Sequence, residues 1–190
     1  NGTRSVKGLP GPAYWQNQSV YHINLVVAPP NPTVTGSEEI TYFNRSPDTL
    51  KFVVFSLTMN YHQPGAGRSA TRGGTIDSSQ FTSGIHVDRF RIDGQEALWP
   101  EGAVDFTHLS IPLPRDLLPG DSIHFSIAWH DRITPEFSGK EMPLREGKID
   151  STTWCIAYFY PAVAVYDDYN GWDRLPFTGA QEFYNDFSDY

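Results

Sequence analysis

Residues 106–129 read FTHLSIPLPRDLLPGDSIHFSIAW, and the alternation in this stretch decides the fold class. From Ser122 onward Ile123, Phe125, Ile127 and Trp129 share one face, while His124, Ser126 and Ala128 share the other. That two-residue period belongs to a half-buried strand. Residues 106–113 form a second apolar strand, and Leu118, Pro119, Gly120 and Asp121 between them have turn composition. The natural expectation is a hairpin, the clearest in the chain.

Working outward, residues 19–27 set Tyr21, Ile23, Leu25 and Val27 against Val20, His22, Asn24 and Val26 before the Pro-rich run 28–36. Residues 38–44 place Ile40 and Tyr42 opposite Glu39, Thr41 and Phe43, and 45–49 (RSPDT) then fits a tight reversal into a second hairpin. The run 50–59, LKFVVFSLTM, is apolar almost throughout, which suits a strand buried on both faces. Residues 86–94 bring Val87, Phe90 and Ile92 imperfectly into phase ahead of Asp93-Gly94, a strong hairpin turn. The polar, Gly-rich stretch 60–83 exceeds an ordinary connection and reads as a mobile surface loop. Strand follows strand with no convincing helix and no internal repeat, so the expected fold is an all-β, antiparallel β-sandwich.

A chain of 190 residues fits one such domain, with a flexible lead-in over 1–13 and the sandwich over 14–190. At that size about 70% of the unfolded surface is buried, enough for a core without staples. The 22 acidic residues outnumber the 14 basic ones for a formal charge of -8, and no basic stripe tracks a phosphate backbone. Nucleic acid is excluded as a partner on that ground. Cys155 is the one cysteine, so neither an intrachain disulfide nor a Cys-based zinc site can form. Within WCIAYFY it reads as a buried, inert thiol. No apolar run is long enough to span a bilayer as a helix. The Asn-x-Ser/Thr triplets at Asn1, Asn17 and Asn44 carry almost no weight, because such triplets are common by chance.

Catalytic motifs are missing. A zinc hydrolase of the common type needs His-Glu-x-x-His, two imidazoles one helical turn apart with a Glu to handle the water proton, and no such run occurs. The six histidines are scattered, and His22, His108 and His124 fall opposite the apolar strand faces, where they read as solvent-facing. The segment 167–173, DDYNGWD, fails as a calcium loop: with Gly171 at the sixth position, the first is Tyr166 and the twelfth Phe177. It reads as a turn whose Asp side chains bond local backbone. No catalytic residue and no metal ligand is therefore expected in this chain. The aromatics Trp172, Phe177, Phe183, Tyr184 and Phe187 leave open a sugar-stacking or adhesion module.

The order of features resembles the N-terminal domain of the aminopeptidase-N-like zinc metallopeptidases, the gluzincin family, in its bacterial branch. The pieces that carry the resemblance are 14–27 (YWQNQSVYHINLVV), 35–60 (TGSEEITYFNRSPDTLKFVVFSLTMN), 111–129 (IPLPRDLLPGDSIHFSIAW), 159–172 (FYPAVAVYDDYNGW) and 182–190 (EFYNDFSDY). They run over nearly the whole chain in family order, and the last two are the most specific. The resemblance implies a saddle-like β-sandwich that supplies no metal ligand, followed by a catalytic domain of the same polypeptide that holds zinc. It implies that the chain is cut from a longer, exported peptidase as a further strand begins after Tyr190. Its aromatic and acidic tail would form one wall of a peptide-substrate cleft. Family members usually place a Gln or Glu two residues before the aromatic-Pro pair to hold the substrate's α-amino group. Here that place falls to Tyr158, a departure that bears on specificity. Asp167, Asp168 and Glu182 are the alternative amine anchors, and Trp172 completes the expected substrate wall.

Overall fold

Alternating strands bury one face each, so two sheets placed face to face can share a single core. The computed structural model describes residues 2–68, 78–100, 107–134, 146–150, 153–179 and 184–190. Along the chain the strands are β1 (Gln18–Val27), β2 (Thr33–Phe43), β3 (Leu50–Ser56), β4 (His86–Ile92), β5 (Gln95–Glu96), β6 (His108–Leu117) and β7 (Ser122–Arg132). Short strands follow: β8 (Glu146–Lys148), β9 (Trp154–Ile156), β10 (Ala162–Val163), β11 (Tyr166–Asp167), β12 (Gly171–Trp172) and β13 (Ser188–Asp189). No α-helix occurs among the described residues, only 3-10 turns at Thr58–His62 and Ser78–Gln80.

The larger sheet has six strands in the order β13-β1-β2-β7-β4-β5, antiparallel except where β13 lies parallel to β1. The smaller has three, β10-β3-β6, also antiparallel. Rings meet between the sheets: Phe55 of β3 packs edge-on against Phe90 of β4 and Phe125 of β7. Val53, Val54 and Phe55 are all fully buried, so both faces of β3 are covered, as its unbroken apolar run predicts. Each such side chain contributes about 1.5–3 kcal/mol of burial. Pro112 and Pro114 are tolerated in β6 because that strand is an edge of its sheet. A register shift between Val87 and Arg89 accounts for the imperfect phase of β4.

Two expected hairpins are not hairpins. β6 pairs with β3 and β7 pairs with β2 and β4, so the turn at 118–121 crosses from one sheet to the other. The reversal at 45–49 does the same between β2 and β3. Alternation shows which face of a strand is apolar, and two apolar faces can meet by lying across the core instead of side by side. The two crossings are tied together through Asn44, whose N–H donates to Asp121 and whose carbonyl accepts from Gly120. The Asn44 side chain donates to the Leu117 carbonyl, and Asn17 Oδ1 accepts the backbone N–H groups of Arg45 and Ser46. Both asparagines are buried and serve the corner, not a glycan. The Asp93-Gly94 hairpin between β4 and β5 forms as expected.

Other expectations need correction. His108 is buried, because the C-terminal segment lies over its side of β6. In the described parts of 60–83, Tyr61, His62, Ala66 and Thr82 are buried and Asn60 Oδ1 accepts the Ile85 N–H at 2.9 Å, so those parts pack onto the body. Leu25 and Val27 point to the core side of β1 but remain exposed, since β1 outruns the smaller sheet.

Candidate functional site

After β10 the chain is fixed to the sandwich by its own backbone. The Val163 N–H donates to the Tyr21 hydroxyl, the Ala164 N–H to the Val54 carbonyl and the Phe177 N–H to Thr107 Oγ1. β11 and β12 form a small ribbon whose turn needs the left-handed Gly171, φ 70°. Asp167 Oδ1 accepts the N–H groups of Tyr169 and Asn170 at 2.8 and 2.6 Å, the local bonding expected of that turn. Its other oxygen accepts the Tyr184 hydroxyl at 3.2 Å.

Beside this ribbon lies a cleft of about 440 Å³. Trp172 and Phe177 supply apolar lining, and Asp167, Asp173, Arg174 and His108 converge on it with polar groups. Burial, aided by the Asp167 charge, pushes the Tyr184 phenol up to about 12, and the same two causes lift the neighbouring Asp186 carboxyl to about 7. An apolar floor with a few convergent polar groups is a binding geometry. Its carboxylates suit a ligand with a cationic head. Among the described residues no three His, Cys, Asp or Glu side chains gather as a metal site requires.

The structure distributes the residues singled out in the sequence. Asp167 and Trp172 line the same cleft. Trp172 is buried against Tyr42, Phe52 and Tyr166, so its face is committed to the core and offers no sugar platform; Phe177 is buried as well. Asp168 is not in the cleft: its carboxylate accepts Arg4 Nε at 2.9 Å and Nη2 at 2.8 Å, and that guanidinium holds it below the usual Asp range. Tyr158 lies elsewhere, half-buried against the core with φ 56°, a left-handed conformation that is strained for a bulky residue. Glu182 and Phe183 lie outside the described residues.

Sequence reasoning missed His108, Asp173, Arg174 and one interior group, Glu38. Glu38 is 1% exposed on the inner face of β2, and neither carboxylate oxygen has a hydrogen-bond partner. Burial raises its pKa well above the ordinary value. Its parity with Ile40 and Tyr42 was the available signal.

No family model and no curated protein matches the chain. Among solved structures, the fold is similar to part of the M1 zinc metallopeptidase of Deinococcus radiodurans. One structure of a point mutant of that protein aligns over 81% of this chain with TM-score 0.46 and 18% identity. The protein without that mutation aligns over 80% with TM-score 0.45 and 19% identity, and a mutant bound to a Tyr-Ser-Ala substrate over 81% with TM-score 0.45 and 18% identity. This chain spans about 30% of the length of those solved chains.

Proposed function

We propose that this sandwich is the leading, non-catalytic domain of a longer, exported, zinc-dependent aminopeptidase-like metallopeptidase, and that its C-terminal segment forms one wall of the peptide-substrate cleft. Zinc would sit in a catalytic domain of the same polypeptide. The observation that carries the reading is where the C-terminal segment leaves its apolar surface. Tyr169, Leu175, Tyr184, Phe187 and Tyr190 are all exposed within the last 22 residues, and Leu175 and Tyr184 line the cleft that Asp167 and Asp173 also line. Large apolar groups concentrated in one segment mark a surface that a neighbour covers. The family resemblance of the sequence names that neighbour, and the cleft carboxylates suit the ammonium end of a peptide.

The 190-residue chain and the complete polypeptide should be assayed side by side with an aminoacyl p-nitroanilide after chelator dialysis and zinc repletion. The expected result is turnover and one bound zinc in the complete polypeptide, and neither in the isolated domain. Asp167→Asn in the complete polypeptide should then shift KM for the aminoacyl substrate. Stoichiometric zinc or turnover in the isolated chain overturns the reading, and so does a complete polypeptide that binds no zinc.

A further inference from the structure

The ribbon of β11 and β12 pairs over only two residues on each strand, Tyr166 with Trp172 and Asp167 with Gly171. A two-stranded ribbon of that length is marginal by itself. Support for it comes from the other end of the chain. Residues 2–14 close on themselves: the Gly11 N–H donates to the Thr3 carbonyl, the Ala13 N–H to that of Gly2 and the Ser5 N–H to that of Leu9, while Arg4 bridges to Pro10. From this closed turn Arg4 reaches Asp168, donating through Nε to both carboxylate oxygens at 2.9 and 3.0 Å and through Nη2 to one of them at 2.8 Å. The Asp168 side chain is only 5% exposed, so its side of the pair is shielded, unlike that of an ordinary surface ion pair. Just past the turn, the Trp15 ring stacks on Tyr166 with centroids 5.7 Å apart and 24° between planes. The Tyr166 hydroxyl donates in turn to Asp48 Oδ2 at 2.9 Å. Asp167 stands between these two anchored residues, and of the three it is the one that lines the cleft.

We propose that the N-terminal turn is a clamp on the cleft, with Arg4 and Trp15 as positioning residues that fix the ribbon and so hold Asp167 toward the ligand. This deepens the function proposed above and rests on its reading of the cleft carboxylates as contacts for the ammonium end of a peptide. Anchors on the residues before and after Asp167 leave its backbone little room to swing. Asp167 Oδ1 accepts the Tyr169 and Asn170 N–H groups of the same turn, so a turn that shifts carries the carboxylate with it. A carboxylate has about four acceptor positions, and with the Tyr184 hydroxyl on Oδ2 three are used. The position left on Oδ2 can take a donor from a ligand only if the turn stays where the clamp sets it. Neither Arg4 nor Trp15 lines the cleft, so they act through Asp167 and not on the ligand. A displacement of about 1 Å is enough to weaken a contact of this kind. A contact made equally in ground state and transition state is lost as a rise in KM with kcat kept.

Two readouts on the complete polypeptide test the proposal: steady-state kinetics with an aminoacyl p-nitroanilide, and hydrogen–deuterium exchange of the peptide covering 166–172. Arg4→Ala and Trp15→Leu should each raise KM about three- to tenfold with kcat kept within about twofold, and should speed exchange of the Tyr169 and Asn170 amides by a similar factor. Arg4→Lys keeps the charge but not the two-pronged geometry, so its KM should fall between those of Arg4→Ala and the unmodified polypeptide. Lys7→Ala, exposed on the same turn and outside the clamp, should change neither readout. Unchanged exchange in both Arg4→Ala and Trp15→Leu overturns the proposal, with or without turnover. So does faster exchange with an unchanged KM in an active enzyme, and so does a Lys7→Ala variant that behaves as Arg4→Ala does. A polypeptide that binds no zinc and turns over no substrate overturns the peptidase reading alone, and exchange of the ribbon still decides the clamp.

Discussion

Glu38 shows how much a single residue can oppose the fold that contains it. A carboxylate removed from water gains nothing back unless a donor or cation replaces the lost hydration, and Glu38 has neither. Its folded pKa is raised by burial above the ordinary 4.5. The folded state therefore holds a proton that the unfolded state releases, and the Glu38 contribution to stability is fully present below about pH 4.5 and is lost as pH rises through the folded value. Asp131, lifted to about 7 by burial with one oxygen unpartnered, acts in the same direction. Glu38→Gln removes the charge with little change of shape. It should raise Tm at pH 8 by about 2–4 °C for each kcal/mol of protonation cost that it removes, and should flatten the pH dependence above pH 5. Thermal melts of both proteins from pH 4 to 9 check this; parallel curves would mean that Glu38 is neutralised by something other than a proton. The position was readable in principle, because its parity with Ile40 and Tyr42 places it inside. The burial of His108 was not readable, because it depends on a segment about 65 residues later in the chain that covers β6.

At the scale of the strand, period-two alternation made β1, β2, β3, β4, β6 and β7 legible, yet left their partners undecided. A turn such as Leu118-Pro119-Gly120-Asp121 can fold a strand back beside its neighbour or carry it across the core, and the composition is the same in either case. What decides here is the pair of corners joined through Asn44 and Asn17, a long-range contact that no local pattern reports. Gly36 shows a similar dependence on the partner strand. It pairs with Trp129 of β7, and a Cβ at Gly36 would clash with the six-membered ring of the indole. Gly36→Ala should therefore cost about 1–3 kcal/mol in urea unfolding, as overpacking does. Combined with Trp129→Leu it should cost less than the sum of the two single changes, a double-mutant coupling that a purely local effect of Gly36 on β2 would not produce. The N-terminal turn is an element held from outside itself. Arg4 grips Asp168 with a two-pronged ion pair and lies 5.2 Å over the Tyr14 ring. Because Asp168 is held below its usual pKa, the grip is complete above the ordinary Asp value and is lost as pH falls through the lowered one. Arg4→Ala should speed tryptic cleavage at the exposed Lys7 several-fold at pH 8 without changing the urea midpoint appreciably. Unchanged cleavage would show that the backbone bonds of Ser5 to Leu9 and Gly11 to Thr3 hold the turn by themselves.

For the whole molecule, the acidic and aromatic density of 157–190 singles out the segment beside which the cleft lies, and the structure puts Asp167 and Trp172 in its lining. That density could not separate the large apolar side chains that build the domain from those left outside it. Trp172 and Phe177 are core, whereas Leu175, Phe187 and Tyr190 are 77, 81 and 76% exposed. The difference is set by where the chain crosses β3 and β6, which composition does not encode. Exposed groups of this size have a measurable consequence. Surface that a neighbouring domain covers binds apolar dyes only when the neighbour is absent. Anilinonaphthalene sulfonate should therefore fluoresce several-fold more strongly with the 190-residue chain than with an equal molar amount of the complete polypeptide. Leu175→Ser with Phe187→Ser should lower the signal of the isolated chain toward that of the complete polypeptide. The same pair should weaken activity in the complete polypeptide if the segment walls the substrate cleft, because a wall that does not pack does not hold a peptide in place. If dye binding is equal in the two proteins while the isolated chain stays folded and monomeric, the apolar tail faces solvent in both, and the cleft beside it works without a second domain.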